Sequence, residues 1–166
     1  MTVSNIAYLK SFYDASKAIG APVISGDFTF AIDGYEQSYL LCKQAPWALV
    51  SPMGEVENPG PLGIITYKPQ QAKVAHQGQV AFKETVAGSI DNMLLNILTT
   101  GGIFSGVMYE GTPQKFLRAK PYRDCFLQLD DPDRDWENRA QVLLITGTMF
   151  FNYFGEVIPG NSADYS

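Results

Sequence analysis

The segment VLLITGTMFFNYF, from Val142 to Phe154, is the longest apolar run in the chain, and it decides the fold class. Successive residues of a strand point to opposite faces, so every second residue from Leu143 to Tyr153 would share one face. Both faces are largely apolar, whereas a strand with one solvated face carries polar residues at alternate positions. The segment therefore predicts a final strand within 139–153 that is covered on both sides, either by its own chain or by a neighbouring chain.

Strand patterns recur upstream of this run, so antiparallel β-structure is predicted for most of the chain. The strongest hairpin signal is FTFAIDGYEQSYLL, residues 28–41, in which alternating apolar residues flank the turn-forming pair Asp33-Gly34. Further strands are predicted at 64–68, 77–86, 103–109 and 121–129, and the first two of these are expected to pair around the turn region QQAK. We found no internal repeat or domain boundary, and we expect residues 1–166 to form a single domain.

Two helices are predicted beside these strands. Residues 5–19 place apolar side chains at helical spacing between a capping Ser4 and the stop signal Gly20. Residues 1–22 are therefore predicted to be an N-terminal helical segment. A second, short helix is predicted to begin at a capping Ser89. Its predicted buried stripe consists of Met93, Leu94, Ile97 and Leu98.

The segment QAPWALVSPMGEVENPGPLG, residues 44–63, contains four prolines and three glycines. Proline fixes the backbone and removes a hydrogen-bond donor, so this segment is predicted to be a long loop without a regular element. Trp47, Val50 and Met53 make it too apolar for a flexible linker. Long loops inside compact domains are usually functional, and we expect the same of this one.

The composition combines many aromatic residues with few charged ones. The 166 residues include 10 Phe, 9 Tyr and 2 Trp, but only 17% are charged. A chain of this length buries enough surface for a core of its own, but a monomer also needs a polar exterior. We therefore expect part of the surface to be covered by another subunit. The net charge of −5 disfavours stable wrapping of nucleic acid but not its passage along an acidic wall.

The sequence lacks phosphate-binding, dinucleotide-binding and nucleophile-elbow motifs. The single histidine, His76, is predicted to be a turn or strand-edge residue. Cys42 and Cys125 lie far apart, with no CxxC pair and no secretory leader, which favours reduced, buried thiols in a cytoplasmic setting over a reactive thiol. No run is long enough to span a membrane. We therefore predict a protein that is not an enzyme and has no cofactor, catalytic residue or metal site.

An acidic run from Asp130 to Glu137 begins like a calcium-binding loop. Counting from Asp131, the sixth position is Trp136, where glycine is required, and the twelfth is Val142, where a glutamate is required. The run is therefore predicted to be a solvated turn. A weak divalent site, a charged contact to a partner and a metal-dependent enzyme remain the alternatives.

The order of these segments resembles that of the tail tube proteins of contractile-tailed bacteriophages, which are related to the inner-tube proteins of type VI secretion systems. The resemblance rests on the hairpin FTFAIDGYEQSYLLCK, the proline-rich loop, the stretch ITYKPQQAKVAHQGQVAFKETV, the short helix and the two closing strands around a polar turn, over roughly 24–155. It implies a mainly antiparallel α+β fold, sandwich-like or barrel-like, with one short flanking helix. The N-terminal helix departs from the simplest family members.

The resemblance also implies a function. It implies a structural virion protein that forms stacked hexameric rings of a tail tube, the conduit for DNA ejection, and that is assembled in the host cytoplasm. The implied partners are further copies of the chain, the sheath protein, and the tape-measure and baseplate proteins, with DNA passing transiently. A baseplate or secretion-type tube ring, and a β-barrel that binds a small ligand, are the alternatives.

The resemblance assigns candidate residues to two surfaces. The loop 44–63 would contact the next ring, with Trp47, Val50 and Met53 as anchors and Glu55 and Glu57 as rim charges; the alternative for Trp47 is that it folds back on its own core. The candidates for the lumen are the polar strand positions Gln79, Lys83, Thr85, Thr146 and Thr148.

Overall fold

A computed structural model describes residues 5–161, which form two helices and nine strands. The helices are α1 (Ile6–Ile19) and α2 (Ser89–Thr99). The strands are β1 (Thr29–Ile32), β2 (Cys42–Gln44), β3 (Glu55–Pro59), β4 (Ile65–Pro69), β5 (Ala75–Lys83), β6 (Phe104–Gly111), β7 (Phe116–Leu129), β8 (Leu144–Asn152) and β9 (Ile158–Pro159). The predicted α+β class, mainly antiparallel with two helices, is confirmed.

Seven strands form one antiparallel sheet in the order β1-β6-β7-β8-β5-β2, with β9 paired to β7. The long strand β7 joins the two halves, because its first part pairs with β6 and its last part with β8. Between these parts the register shifts from Arg123 to Phe126, and Asp124 adopts a φ of 51°. This irregularity lets one strand serve both halves of the sheet.

The core lies on one side of this sheet. One face of β8, the face predicted to include Leu143, contributes side chains to this core. Helix α2 covers the core with Ile90, Met93 and Ile97. The buried members from β8 and the residue after it are Ile145, Met149, Phe151 and Tyr153. Phe150 and its alternate neighbours on the other face stay partly exposed. The described chain therefore covers only one face of the strand that was predicted to be covered on both.

The predicted hairpin 28–41 is wrong, although its turn is present. Gly34 has a φ of 89°, and the backbone N–H of Tyr35 donates to the carbonyl of Ile32. After this turn the chain winds into a 3-10 helix, Glu36–Leu40, instead of a second strand. The segments on the two sides of this turn lie at opposite edges of the sheet, because β1 pairs with β6 and β2 pairs with β5.

The prediction that 44–63 contains no regular element is also wrong. Residues 55–59 form β3, which pairs with β4 in a separate two-stranded sheet. The predicted pairing of 64–68 with 77–86 fails for the same reason, because β4 is taken by β3 while β5 lies between β8 and β2. Pro59 fits because it stands at the end of β3, and Pro61 lies in the turn between β3 and β4.

The ends of the elements differ from the sequence prediction in smaller ways. Helix α1 is capped by the side chain of Asn5, which accepts from Ala7, while the predicted cap Ser4 lies outside the described residues. In α2 the predicted stripe residue Leu98 is 71% exposed, and Ile90 is buried instead. The strand predicted within 139–153 begins only at Leu144.

Candidate functional site: a polar sheet face and an exposed arm

A row of neutral polar side chains crosses the sheet on the face away from the core. Thr148 of β8 lies in register with Gln79 of β5 on one side and with Gln128 of β7 on the other. Thr146 lies one step along the same face of β8, and a shallow depression of about 280 Å³ includes Gln79, Thr146 and Thr148. The structure thus brings three of the five lumen candidates together on neighbouring strands.

The other two lumen candidates lie apart from this row. Lys83 is exposed at the end of β5, opposite Leu144. Thr85 lies beyond the end of β5, so its predicted strand position is wrong. Its hydroxyl accepts from the backbone N–H of Ser89, so Thr85 helps to cap α2. The lumen role of all five residues stays a prediction.

An aromatic pair borders the polar row. The rings of Phe126 and Phe150 stack with centroids 4.9 Å apart, and Phe126 is 44% exposed. Close by in the chain, Arg123 pairs with Glu156 at 2.7 Å. The polar row therefore has an apolar pair beside it on the same face of the sheet.

The second candidate surface is a hairpin that projects from the body, and we call residues 51–73 the arm. The strands β3 and β4 form it, and backbone hydrogen bonds between Met53 and Gln71 and between Ser51 and Lys73 close its base. Every residue from 55 to 73 is exposed. A sheet of two strands is marginal on its own, so the arm is a surface suited to pairing or packing with a partner.

The arm carries most of the predicted contact residues. Val50 lies just before it, Met53 lies at its base, and Glu55 and Glu57 lie on β3; all four are exposed. The arm also carries exposed apolar side chains that the loop prediction missed, namely Val56, Leu62, Ile64, Ile65 and Tyr67. Two runs of five residues around a Pro-Gly-Pro turn were the signal in the sequence that could have revealed them.

Trp47 belongs to the core side of this segment. The side chain packs against the core cluster, and the Lys120 ammonium lies 4.4 Å from the centre of its ring. Lys120 also donates to the carbonyl of Ala48 at 2.5 Å, and the hydroxyl of buried Tyr122 donates to the carbonyl of Pro46 at 2.8 Å and accepts from the Ala48 N–H at 2.9 Å. These contacts fix the segment before the arm to β7. Trp47 thus packs against its own core, which is the alternative that was predicted for this residue.

The titratable groups with shifted pKa values are dispersed through the fold. Burial raises the pKa of the Cys42 thiol and of the Cys125 thiol to about 12, so both thiols stay protonated at neutral pH. Burial, and then the nearby charge of Lys73, lower the pKa of His76, which lies inside β5 and stacks on Phe151. His76 is buried near the start of β5, where the strand pairs with β8 alone, so the predicted strand-edge position fits and the turn does not.

The acidic run lies in an exposed loop between β7 and β8. Residues 130–137 are all exposed, and the backbone N–H of Glu137 donates to the carboxylate of Asp135 at 3.0 Å, as in a turn stabilised by an aspartate. Within residues 5–161, no three His, Cys, Asp or Glu side chains are grouped so that they could hold a metal ion. In the same range, neither helix has the length and apolarity needed to cross a membrane.

Comparisons with known proteins support the fold. No family model matches the chain, and no curated protein matches it. Among solved structures, it is similar to a chain of the anti-feeding prophage cap, the tube-terminating cap, with 12% identity, a TM-score of 0.55 and coverage of 84% of this chain and 93% of that one.

Two chains from an extracellular contractile injection system called PVC are also similar. One comes from the sheath-tube complex in the extended state, with 13% identity, a TM-score of 0.55 and coverage of 87% and 95% of the two chains. The other comes from the sheath/tube terminator in the extended state, with 12% identity, a TM-score of 0.53 and coverage of 84% and 97%. The chain thus has the fold seen in tube and cap assemblies of contractile injection systems.

Proposed function

We propose that this protein is a non-enzymatic ring subunit of the tube, or of the tube terminator, in a contractile tail or injection apparatus. The observation that carries the proposal is the arm, a paired hairpin that is exposed from residue 55 to residue 73. A hairpin with apolar side chains and no contact surface on its own body gains stability when a second subunit covers it. The shared fold with tube and cap assemblies supports the same role.

In the proposed assembly, six copies form a ring with the Gln79–Thr148–Gln128 row facing the bore. The amide and hydroxyl groups of this row offer a wetted wall without the dense positive charge that holds phosphates, and Lys83, on the same face, lies apart at the end of β5. DNA, or another polymer, would slide along such a wall without stable binding. The arm, with Val50, Met53, Glu55 and Glu57 at or near its base, would contact the next ring.

The proposed partners follow from this arrangement. A tube subunit contacts further copies above and below, and a sheath protein outside. A terminator or baseplate ring would likewise contact the adjoining ring of the tube. The tape-measure protein would occupy the bore during assembly, inside a particle that is built in the host cytoplasm.

Negative-stain electron microscopy of the purified chain tests the proposal. We expect six-fold rings or tubes at concentrations where sedimentation shows large particles. Tubes would assign the chain to the tube itself, and single rings would assign it to a terminator or baseplate ring. A strict monomer at high concentration would overturn the proposal.

A second candidate function is the binding of a small apolar ligand. It is favoured by a groove of about 630 Å³, within the usual size range of ligand sites, whose lining includes Phe28, Trp47 and Met108. Native mass spectrometry of the purified chain distinguishes the two functions. A monomer that carries a bound small molecule would support ligand binding, and an empty ring would support the tube role.

A further inference from the structure

Helix α1 is amphipathic and has no partner in the described chain. Its apolar side chains, among them Leu9, Phe12 and Tyr13, cover about half of its circumference, and each of these three is more than half exposed. Tyr8 packs edge to face on Phe12 with centroids 4.8 Å apart, so the two rings form one apolar patch on this face. An exposed apolar stripe of this kind marks an interaction surface.

An apolar groove on the same chain is also uncovered. It lies between α2 and the end of β7 and has a volume of about 220 Å³, which exceeds that of the cavity of about 150 Å³ known to hold benzene. All its lining side chains are apolar: Leu94, Ile97, Leu98, Phe104, Leu127 and Leu129, with Gly102 between them. Leu98 at its rim is 71% exposed. The groove can accept one or two large side chains of a helix.

The charges beside the two surfaces are complementary. Lys10 and Lys17 are seven residues apart on α1 and therefore lie on one border of its apolar face. On the groove side, Asp91 lies seven residues before Leu98 on α2, and the acidic run begins directly after Leu129. Lysines along the helix would thus face carboxylates on α2 and after β7, the two elements that bound the groove.

The linker favours a groove on another copy over the chain's own groove. The linker, residues 20–28, connects α1 to β1 at Thr29, which pairs with Tyr109 of β6. The groove lies toward the opposite end of β6, at Phe104. The linker is also folded, because Asp27 donates to the carbonyl of Ile24, and it is therefore shorter than its extended length. Linker residues 23–28 line a groove together with Met108 and Glu110, toward the end of β6 opposite Phe104. In the described chain every residue of α1 is exposed, so the helix does not occupy its own groove.

We propose that α1 of one copy packs into the groove between α2 and β7 of the next copy. This contact uses two different surfaces, so it is a head-to-tail contact of the kind that closes a ring. It deepens the proposed function, on which it rests, by naming a contact between subunits within the ring. Leu9 and Phe12 would be the anchors in the groove, and Leu98 would pack beside them.

Cross-linking between two tagged populations tests this contact. One population carries Leu9→Cys and the other Leu98→Cys, both with Cys42→Ser, and they are mixed and treated with a short bismaleimide. We expect a covalent product that contains both tags, at least ten times more than from the matched control Ser11→Cys on the polar face of α1. A yield from Leu9→Cys that only equals the yield from Ser11→Cys would overturn the proposal. So would a double variant with Leu9→Cys and Leu98→Cys on one chain that forms the cross-link only within that chain. A cross-link to a different protein would overturn it as well.

A second variant keeps this result separate from the proposed function. Leu98→Asp changes an exposed side chain, so we expect the melting temperature to stay within a few degrees while rings are lost or strongly reduced. Rings that persist in Leu98→Asp, together with no cross-link, would overturn only the α1 contact. A wild-type chain that never assembles would overturn the contact and the ring function together.

Discussion

Gly147 shows how closely two central strands approach each other. A Cβ atom at this position would lie 2.3 Å from the carbonyl oxygen of Gln128 and 2.6 Å from the Cα of Leu129, both in the backbone of β7. Backbone atoms cannot move aside as a flexible side chain can. Gly147 therefore belongs to the β7–β8 pairing itself and supports the polar row that Gln128 shares with Thr148.

We expect Gly147→Ala to lower the free energy of unfolding by about 3 kcal/mol, at the upper end for overpacking. Urea denaturation followed by circular dichroism measures this loss. Gly26→Ala is the matched control, because a Cβ there would meet nothing within 4 Å. A Gly147→Ala chain as stable as the control would contradict the close strand approach.

Glu84 caps α2 from outside the helix. Its carboxylate accepts from the backbone N–H groups of Thr85, Ile90 and Asp91 at 2.8 to 3.0 Å. Partial burial acts to raise the pKa of Glu84, but these three hydrogen bonds act the other way, and the pKa lies below its ordinary value. The predicted Ser89 cap is therefore wrong, since Glu84 and Thr85 supply the cap.

We expect Glu84→Gln to be about 1 kcal/mol less stable than the wild type at pH 7, a typical loss for a helix cap. A carboxylate with a lowered pKa stabilises the fold above its unfolded pKa of about 4.3, and this contribution disappears as the pH falls through the folded pKa. The difference between variant and wild type should therefore shrink toward acid pH. Glu137→Gln, in the exposed loop, is the control, and a difference that does not change with pH would contradict this role of Glu84.

At the scale of elements, the arm is expected to assemble subunits without holding the fold together. Replacing residues 55–69 by Asn-Gly joins Gly54 and Gln70 through a tight turn and keeps the hydrogen bond of 2.9 Å between them. We expect the melting temperature to change by only a few degrees, because every deleted residue is exposed, while tubes are lost. Sedimentation velocity and electron microscopy measure these effects. The point variant Thr66→Ser, on β4, is the control, and tubes that survive the replacement would contradict the role of the arm.

The elements were easier to predict than their pairing. Local spacing was enough for α1, α2 and most strands, since amphipathic periodicity is written into neighbouring residues. The predicted partners of β1, β2 and β4 were wrong. For β1 and β2 the true partners lie far away in sequence, such as Tyr109 for Thr29 and Phe82 for Cys42. For β4 the partner is the nearby strand β3, which the proline-rich composition of 44–63 concealed. The turn at Asp33-Gly34 is a clear case, because the turn is correct while the strand after it is replaced by a 3-10 helix.

At the scale of the whole molecule, the proposed bore wall should not hold DNA. The chain has a net charge of −5, and the row of Gln79, Thr148 and Gln128 is neutral. We expect no retardation of duplex DNA by about 10 µM protein, a concentration at which non-specific binders are already engaged. Gel retardation at low salt measures this. The triple variant Gln79→Lys, Thr148→Lys, Gln128→Lys should retard DNA at low salt and lose this retardation at high salt. Equal retardation by the wild-type protein would contradict the neutral chemistry assigned to this row.

The sequence by itself determined the α+β class, because the class depends on composition and local period. On the same basis it predicts two separated free cysteines and an apolar surface that another subunit covers. Tertiary structure decided where that apolar surface lies. It left the second face of β8 partly exposed, turned the proline-rich loop into the arm, and returned Trp47 to the core. It also placed Gln79 and Gln128 on either side of Thr148, a row drawn from three strands distant in sequence. Strand register and long-range packing arise only when the whole chain closes on one core, so a local pattern cannot fix them.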